Sequence, residues 1–166
     1  MRKQVQILLI GFMFLLAPIS TIARSDFVDV RIDLSKQKMD VIVVGYHEFS
    51  WDISTARRGY ETPPGKFRVN WMTPMHYSEQ YDLSPMPYAI FFNEGIAIHG
   101  TDAIERLGRP ASHGCVRLHP ENARILYQLV ELYGRGNTII SVRKEQPVVT
   151  ALPKDNSPRL FFDQRY

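Results

Sequence analysis

The sequence predicts a mostly β domain, with a sheet sandwich or barrel-like core and one main helix, on three observations. Several short segments alternate apolar and polar residues with a period of two, which is typical of half-buried strands. Turn-forming residues separate these segments, and a single segment shows the apolar spacing of a confident helix. Because strands and helices do not alternate along the chain, a doubly wound parallel sheet is not expected.

Four strands are predicted in the first half of the chain. Alternating apolar residues begin at Val28, and a polar turn then leads into the returning strand of a hairpin. The segment Thr62-Pro63-Pro64-Gly65 is a strong turn signal, because proline presets φ and glycine accepts a positive φ. The predicted strands cover residues 28–34, 39–44, 48–54 and 66–71.

Residues 72–87 look irregular, with prolines at positions 74, 85 and 87 among tyrosines, a histidine and methionines. A long irregular segment inside a compact domain is more often a functional loop than a filler. We expect this loop to form one wall of a substrate cleft. The alternative is an ordinary surface loop.

The second half of the chain predicts a hairpin, one helix and a last strand. The hairpin joins residues 88–92 to 96–99 through an Asn-Glu-Gly turn, and it delivers His99 at the end of its second strand. Pro120 at the first helical position and Gly134 beyond the last apolar position delimit the helix. A short helical turn is expected over 103–107 and the last strand over 138–142.

The N-terminal residues show the three regions of a secretory signal peptide. Arg2 and Lys3 precede an apolar run over residues 7–19, and small residues follow over 20–23. The run of about 13 residues is shorter than the roughly 20 that span a bilayer. We therefore expect cleavage after Ala23 and an exported protein of the periplasm or cell wall. The alternative is an uncleaved signal anchor.

Removal of residues 1–23 leaves 166 − 23 = 143 residues, the size of one ordinary domain. We expect a single catalytic domain over 24–143 and a loosely ordered tail over 144–166 that is rich in proline and charge. The formal charge of +3 falls to about +1 once Arg2 and Lys3 are removed, with 18 basic against 17 acidic residues. This near balance argues against a nucleic-acid partner.

The only cysteine, Cys115, lies in the segment Ser112-His113-Gly114-Cys115-Val116-Arg117. In an exported protein a lone thiol has no partner for an internal disulfide, so it is either an intermolecular bridge or a reactive group. A thiolate is a strong nucleophile, but its free pKa of roughly 8.5 means that a base must help to form it. His99 or His113 would supply that base. The alternative is a small buried apolar side chain.

A thiol that attacks a carbonyl needs an oriented base and hydrogen-bond donors for the developing oxyanion. We expect His99 to lie at a strand end, which is a rigid place for a base, with the backbone carbonyl of Gly100 to orient its ring. The amide groups of His113, Gly114 and Cys115 are the candidates for the oxyanion hole.

Other interpretations of the neighbouring side chains stay open. Arg117 holds a substrate carboxylate or the local backbone, or it is a solvated charge. His113 has a catalytic role or simply packs and hydrogen-bonds within its loop. A zinc site is the rival mechanism, but its His-x-Cys spacing is tighter than usual and no acidic residue is placed as a general base. Its four candidate ligands are His99, His113, Cys115 and His119.

Two motifs stand close together: His99-Gly100-Thr101 and, after Gly108, Ser112-His113-Gly114-Cys115-Val116-Arg117-Leu118. Together they resemble the signature of the L,D-transpeptidases that carry the YkuD-type catalytic domain. Two upstream stretches also resemble segments of that family, Thr62-Pro63-Pro64-Gly65-Lys66-Phe67 and the stretch from Met86-Pro87-Tyr88 through Ile98. The resemblance covers residues from about 27 to 142.

The resemblance implies an all-β catalytic fold and a cysteine-dependent acyltransferase that acts on peptidoglycan. Cys115 would attack the carbonyl that joins the third residue of a tetrapeptide stem to its terminal D-alanine, forming a thioester that an amine then resolves. His99 would take the thiol proton, the Gly100 carbonyl would orient it, and the loop amides would form the oxyanion hole. The resemblance places His113 and Arg117 around the substrate, and we also expect Ser112 and Tyr88 to contact it.

No metal or organic cofactor is implied by the resemblance. The expected partners are stem peptides, as tetrapeptide donor and as amine acceptor, or an outer-membrane or wall protein as acceptor. A diaminopimelate amine would give a 3-3 cross-link, a protein amine would give anchoring, and a free D-amino acid would give exchange. Water would make the protein an L,D-carboxypeptidase. Outside the enzymes, the alternative is a non-catalytic peptidoglycan-binding module.

Overall fold

The computed structural model describes residues 28–144. The predicted signal peptide over 1–23 and the predicted tail, apart from Lys144, lie outside the described residues. Within the described part of the chain, no helix is both long and apolar enough to span a membrane.

In residues 28–144, nine strands form two sheets, and one main helix follows the eighth strand. Two short 3₁₀ helices, Ile104–Arg106 and Arg135–Asn137, lie in connections. The strands are β1 Val28–Asp33, β2 Lys38–Val43, β3 Tyr46–Asp52, β4 Gly65–Arg68, β5 Trp71–Ser78, β6 Ser84–Asn93, β7 Ile96–Gly100, β8 Val116–Leu118 and β9 Thr138–Arg143, and the helix is α1 Pro120–Tyr133.

The first sheet has five strands in the order β3-β2-β1-β9-β4, and the second has four in the order β5-β6-β7-β8. Neighbouring strands are antiparallel with two exceptions, β1 with β9 and β7 with β8. The parallel pair of β7 and β8 needs a crossover, and the residues between the two strands provide it. These crossover residues include both the first 3₁₀ helix and the loop that ends at Cys115.

The core lies between the sheets and is closed by α1, which packs on β6, β7 and β1. The inward positions of β1 and β2 are fully or almost fully buried apolar residues, and each such side chain contributes roughly 1.5–3 kcal/mol by leaving water. The apolar stripe of α1 is buried on the same core: Ala123, Leu126, Tyr127, Leu129 and Val130. The mostly β fold with one main helix is therefore confirmed.

One expectation for this part of the chain was wrong, because residues 72–87 do not form an irregular loop. They belong to a long antiparallel hairpin of β5 and β6. Pro74 lies in β5, which is an edge strand, where a missing N–H is tolerated. Pro85 and Pro87 lie in the part of β6 that pairs only with β5, because β7 pairs with β6 from Ile90 onward. At Pro85 and Pro87, β6 therefore has only one neighbouring strand, so no second strand needs a hydrogen bond from their backbone.

The other predicted elements are present, with small shifts at their ends. The helix begins at Pro120 as expected, and His119 caps it by accepting a hydrogen bond from the N–H of Glu121 at 3.4 Å. The strand β8, only three residues long, was not predicted. A three-residue strand shows too little periodicity to be recognised, and its pairing with β7 is a tertiary fact.

Candidate active site

The parallel pair of β7 and β8 brings the two sequence motifs together. The register pairs Ile98 with Val116 and His99 with Arg117. Cys115 immediately precedes β8, so the same register continued by one residue places it beside Ala97. His99 thus lies two residues after Ala97 on β7, and Ala97 is the neighbour of Cys115 on β8's side of the pair.

Side chains alternate between the two faces of this sheet, and the alternation decides which of them meet. Val116 and Leu118 are fully buried in the main core with Ile98. Ala97 points to the opposite face, where Cys115 packs against a second apolar cluster. That cluster is Met86, Ala89, Phe91 and Ala97. His99, Cys115 and Arg117 therefore share this opposite face, which we call the active face.

His99 is held in one orientation on that face. The residue is 6% exposed, and its Nδ1 lies 2.7 Å from the carbonyl oxygen of Gly100. A carbonyl can only accept, so Nδ1 carries the hydrogen and Nε2 keeps its lone pair. Burial is the main cause that lowers the pKa of His99 to about 4, and the positive charges of Arg117 and His76 lower it further. The imidazole is therefore a neutral base at physiological pH.

The residue at position 100 is packed so closely by its neighbours that there is no room for a side chain, and glycine fits there. A Cβ atom there would lie 3.1 Å from the Cα of Pro120 and 3.1 Å from the Cγ of Pro87. The start of α1 and the hairpin thus close around the residue whose carbonyl orients His99. The expected orienting role of this carbonyl agrees with the hydrogen bond described above.

Cys115 is half-buried, and its Sγ lies 4.0 Å from the carbonyl oxygen of Gly95. Burial raises the pKa of Cys115 above its usual value, while a hydrogen bond from the backbone at Ala97 and the charge of Arg117 act in the opposite direction. The raised pKa of the thiol and the lowered pKa of His99 together mean that both groups are neutral at rest. The arrangement suits a proton transfer that accompanies attack rather than a permanent ion pair.

The loop of residues 112–115, here called the SHGC loop, is held largely by its own serine. Ser112 is fully buried, and its hydroxyl donates to the carbonyl of Cys115 at 2.6 Å. The same oxygen accepts the N–H of Gly114 at 3.1 Å. The Ser112 hydroxyl therefore makes both of its hydrogen bonds inside the loop and lies beneath the active face. In this position it does not contact a substrate, contrary to the expectation for Ser112.

A second segment, residues 54–62, runs beside the SHGC loop, and we call it the strap. The carbonyl of Thr55 accepts the N–H of Ser112 at 2.9 Å, and the N–H of Arg57 donates to the carbonyl of Ser112 at 3.0 Å. Thr62 is 3% exposed, and its hydroxyl donates to the carbonyl of Gly114 at 2.6 Å while accepting the N–H of Ala56 at 3.1 Å. The threonine of the predicted turn therefore ties the strap to the SHGC loop.

These hydrogen bonds change the expected set of oxyanion donors. The N–H of Gly114 is taken by Ser112, so it does not point to a reacting carbonyl. Within residues 28–144, the N–H groups of His113 and Cys115 make no hydrogen bond to the protein. Gly114 contributes differently: at φ +142° with a neighbouring carbonyl 3.1 Å from its ideal Cβ, the position excludes larger residues.

His113 lies between two tyrosine rings. Tyr81, at the tip of the β5–β6 hairpin, stacks on it with 4.3 Å between ring centroids, and Tyr60 of the strap meets it edge-on at 4.5 Å. Desolvation, followed by the charges of Arg57 and Arg117, lowers its pKa. The imidazole thus joins the hairpin tip and the strap to the SHGC loop by packing.

Tyr88, expected to contact the substrate, lies elsewhere. Its ring packs against the main core and meets Tyr127 of α1 with 5.9 Å between centroids. This is the face of the sheet opposite to Cys115. Tyr88 shares this face with Ile90 and Phe92, whereas Met86, two residues earlier, belongs to the cluster around Cys115. The alternation of β6 therefore changes between Met86 and Tyr88, where the backbone of Tyr88 has φ +55°.

His76 is a group that sequence analysis left without a role. Its ring meets Trp71 at 5.6 Å and Phe91 at 5.1 Å, both edge-on. Phe91 belongs to the cluster around Cys115, and the charge of His76 acts on His99. The signal that places His76 here is its pairing with Met86 across the hairpin, which is visible only when residues 72–87 are assigned to strands.

The structure also bears on the zinc alternative. His119 caps α1, and His113 is enclosed by the two tyrosines, so the four candidate ligands do not converge. No group of three or more histidine, cysteine, aspartate or glutamate side chains among the described residues is arranged to hold a metal ion.

The segments described above are also the part of the chain that matches known proteins. A family model for the L,D-transpeptidase catalytic domain, YkuD, matches residues 28–154. The chain is similar to the probable L,D-transpeptidase YbiS of Escherichia coli strain K12, at 36% identity over 70 residues, which is 42% of this chain and 21% of that protein.

Solved structures show the same fold. The L,D-transpeptidase (Yku) from Stackebrandtia nassauensis aligns with a TM-score of 0.62 and 29% identity, over 72% of this chain and 57% of that one. The L,D-transpeptidase from Xylanimonas cellulosilytica aligns with a TM-score of 0.60 and 27% identity, over 72% of this chain and 61% of that one. The chain therefore spans about three fifths of these structures and about a fifth of the curated relative.

The hydroxyl of Thr62 predicts the first testable effect. Thr62→Val keeps the shape but leaves the carbonyl of Gly114 and the N–H of Ala56 unpaired in a buried place. We expect the free energy of unfolding to fall by about 1–3 kcal/mol, measured by urea denaturation. Thr62→Ser restores the hydroxyl, and Thr73→Val removes an exposed one as the matched control. Equal, small losses in all three variants would contradict the tie between strap and loop.

The raised pKa of Cys115 predicts slow alkylation at neutral pH. Because only the thiolate reacts, the rate of modification by iodoacetamide is expected to reach its half-maximum at a pH above the pKa of an ordinary free thiol. Arg117→Gln should move this midpoint further upward, since the arginine favours the thiolate. Mass spectrometry of the single cysteine gives the rate. A midpoint near pH 7 would show instead a preformed thiolate.

Proposed function

This chain belongs to the family of L,D-transpeptidases with the YkuD catalytic domain, and we propose that it is itself a peptidoglycan L,D-transpeptidase that carries its acyl group on Cys115. The observation that supports the proposal most directly is the parallel pairing of β7 and β8, which puts a neutral imidazole and a single thiol on one face. The family membership supports the reaction class, and the chain's own residues support the steps below.

In the proposed acylation, the Sγ of Cys115 attacks the carbonyl carbon between the third residue of a tetrapeptide stem and its terminal D-alanine. The thiol proton passes to Nε2 of His99, whose other nitrogen stays bonded to the carbonyl of Gly100. The tetrahedral intermediate collapses, the C–N bond breaks, and His99 returns the proton to the leaving amine. The products are a thioester on Cys115 and free D-alanine.

In the proposed second half-reaction, an amine attacks the thioester carbonyl and gives up a proton to His99. The C–S bond then breaks, and the sulfur regains a proton as the thiol. The acceptor that we favour is the side-chain amine of a second stem peptide, which gives a 3-3 cross-link, or a protein amine, which gives anchoring. Both require an exported protein, in keeping with the predicted signal peptide.

The backbone of the SHGC loop would stabilise the charge that develops on the attacked oxygen. The N–H groups of His113 and Cys115 are the donors left over by the hydrogen bonds of the loop, and we assign the oxyanion to them. Arg117 has the electrostatic effect that the reaction needs at sulfur, because its charge lowers the pKa of Cys115. It therefore favours the thiolate during attack and as the leaving group.

The products of a defined reaction test this proposal. With tetrapeptide muropeptides, the protein is expected to release D-alanine and to form cross-linked dimers, detected by liquid chromatography with mass spectrometry. Cys115→Ala should reduce both to background, a loss of about 10³-fold or more for a missing nucleophile. Turnover by Cys115→Ala equal to that of the unaltered protein would refute the assignment.

The product list also separates the rival functions. Tripeptides without dimers would identify an L,D-carboxypeptidase, because water then resolves the thioester. A non-catalytic binding module would release no D-alanine, and Cys115 would gain no mass on incubation with a carbapenem, whose strained ring acylates an active thiol of this kind. Ser50→Ala, a change in β3 away from the active face, serves as the matched control.

The pKa of His99 predicts the acid limb of the pH profile. Since His99 accepts a proton only when it is neutral, the rate of acylation should be constant near pH 6 and fall as the pH drops through about 4. The measurement is the rate of D-alanine release, or of the carbapenem mass gain, between pH 3 and 7. A limb near the ordinary histidine value of 6.5, or one that persists in His99→Gln, would contradict the role of His99 as the base.

A further inference from the structure

The N–H of Cys115 and the carbonyl of Gly114 belong to one peptide unit. This unit is planar and trans, so its C=O and N–H bonds point in opposite directions. The carbonyl of Gly114 accepts the hydroxyl of Thr62, which lies in the strap, at 2.6 Å. The N–H of Cys115 is therefore directed away from the strap. A contact at the carbonyl thus sets the direction of a donor that Thr62 itself does not touch.

The other donor assigned to the oxyanion is held in the same way. The N–H of His113 shares its peptide unit with the carbonyl of Ser112, and that carbonyl accepts the N–H of Arg57, also in the strap, at 3.0 Å. The peptide unit between these two differs, because its N–H, that of Gly114, is bonded to the Ser112 hydroxyl at 3.1 Å. The two units that the strap orients are thus the two whose N–H groups we assign to the oxyanion.

The hydrogen bond from Thr62 belongs to a series of hydrogen bonds that all run in one direction. The N–H of Ala56 donates to Oγ1 of Thr62 at 3.1 Å, and the Thr62 hydroxyl donates in turn to the carbonyl of Gly114. Hydrogen bonds in such a series polarise one another, and a carbonyl that accepts one makes the N–H of its own peptide unit a stronger donor. The N–H of Cys115 lies at the end of this series. Thr62 therefore affects both the direction and the strength of this donor.

The surroundings of Thr62 leave its hydroxyl little freedom. The residue is buried, its β-branched side chain has few rotamers, and Pro63 restricts the backbone of the residue before it. The strap is also anchored at its start, where Ser54 exchanges two backbone hydrogen bonds with Arg117 at 2.8 and 3.0 Å. Just beyond its end, Gly65 begins β4, which pairs with β9. The hydroxyl is thus held in place before any substrate binds.

We propose that Thr62 is a positioning residue of the oxyanion hole. Through the peptide unit of Gly114 and Cys115, its hydroxyl holds the N–H of Cys115 toward the oxygen on which negative charge develops. This inference rests on the proposed function and adds to it a residue that acts on the transition state without contact with the substrate. Loss of the hydroxyl would weaken stabilisation of the oxyanion while the thiol and its base stay in place.

Two reactions of the Cys115 thiol distinguish this role from a purely structural one. With p-nitrophenyl acetate, the sulfur attacks the ester carbonyl and an oxyanion forms. An S–C bond is made, the C–O bond breaks with release of p-nitrophenolate, and the thiol proton passes to His99 and then to water. With iodoacetamide, the sulfur displaces iodide from a CH₂ group, so no oxyanion forms.

Removal of the Thr62 hydroxyl is expected to slow only the first reaction. In Thr62→Val, acetylation of Cys115 at a fixed pH should fall by about 10- to 100-fold, while alkylation changes by less than about twofold, as for one misdirected oxyanion donor. Mass spectrometry of Cys115 gives both rates. Thr62→Ser keeps the hydroxyl and should acetylate within about threefold of the unaltered protein. A change in the exposure or pKa of the thiol would instead alter both reactions.

Thr138→Val is the matched control. Thr138 is fully buried in β9 of the first sheet, and its hydroxyl donates to the carbonyl of Gly134 at 3.1 Å. The change removes the same kind of hydrogen bond from the sheet that does not carry the active face, so both reactions of Cys115 should keep their rates. Thermal unfolding verifies that each variant is folded. If Thr62→Val does not fold, Thr62→Ala replaces it in both reactions, because it removes the hydroxyl without placing a methyl group against the carbonyl of Gly114.

Kinetics with the tetrapeptide donor give an independent readout. Thr62→Val should lower kcat and kcat/KM together by about tenfold or more, with KM changed by less than about twofold, as for an interaction made only in the transition state. Equal slowing of acetylation and alkylation would overturn the proposal, and so would acetylation as fast in Thr62→Val as in Thr138→Val. Failure of Thr62→Ser to retain acetylation, or a raised KM with unchanged kcat in Thr62→Val, would overturn it too.

Failure of the proposed function has a different signature. In that case the unaltered protein releases no D-alanine from the tetrapeptide. The small ester needs no recognition of a peptide, so the ratio of acetylation to alkylation still compares the variants. That ratio alone then decides whether Thr62 positions an oxyanion donor.

Discussion

The site depends on the hydrogen bonds that hold the SHGC loop against the strap. Buried backbone groups need partners, and this loop finds them in the strap and in its own serine rather than in a regular strand. The link between Thr62 and Gly114 joins residues 52 positions apart. Among the N–H groups of this loop, those of His113 and Cys115 make no hydrogen bond to the part of the protein that the structure describes. A loop held by these hydrogen bonds presents its remaining N–H donors in fixed directions, as stabilisation of an oxyanion requires.

The position of β7 inside the fold explains the protonation state of the site. Both faces of β7 are covered, so His99 is desolvated although it shares the active face with Cys115. A pKa lowered from 6.5 to about 4 means that charging this imidazole costs about 3 kcal/mol more than in water. Burial acts on Cys115 in the same sense, against its charged form. Charge is thus disfavoured at rest, and Arg117 partly offsets this cost for the sulfur.

The hairpin of β5 and β6 connects the core to the rim of the site. Its inner part supplies Met86 and Phe91 to the cluster around Cys115, and its tip supplies the ring of Tyr81 that stacks on His113. The role of this segment as one wall of a substrate cleft stays a prediction, and these contacts support it. The same hairpin brings His76 near His99, so the surroundings of the base include a group far from both motifs.

The sequence by itself determined the fold class, the helix and most strands, because period-two and helical patterns are local and the two motifs are specific. It also singled out Cys115 and His99. Only the tertiary structure decided that Ser112 lies beneath the active face, that Tyr88 packs behind the sheet and that Thr62 holds the loop. These outcomes follow from pairings between distant segments and from the alternation of faces across a sheet. Neither can be deduced from the order of residues within one segment.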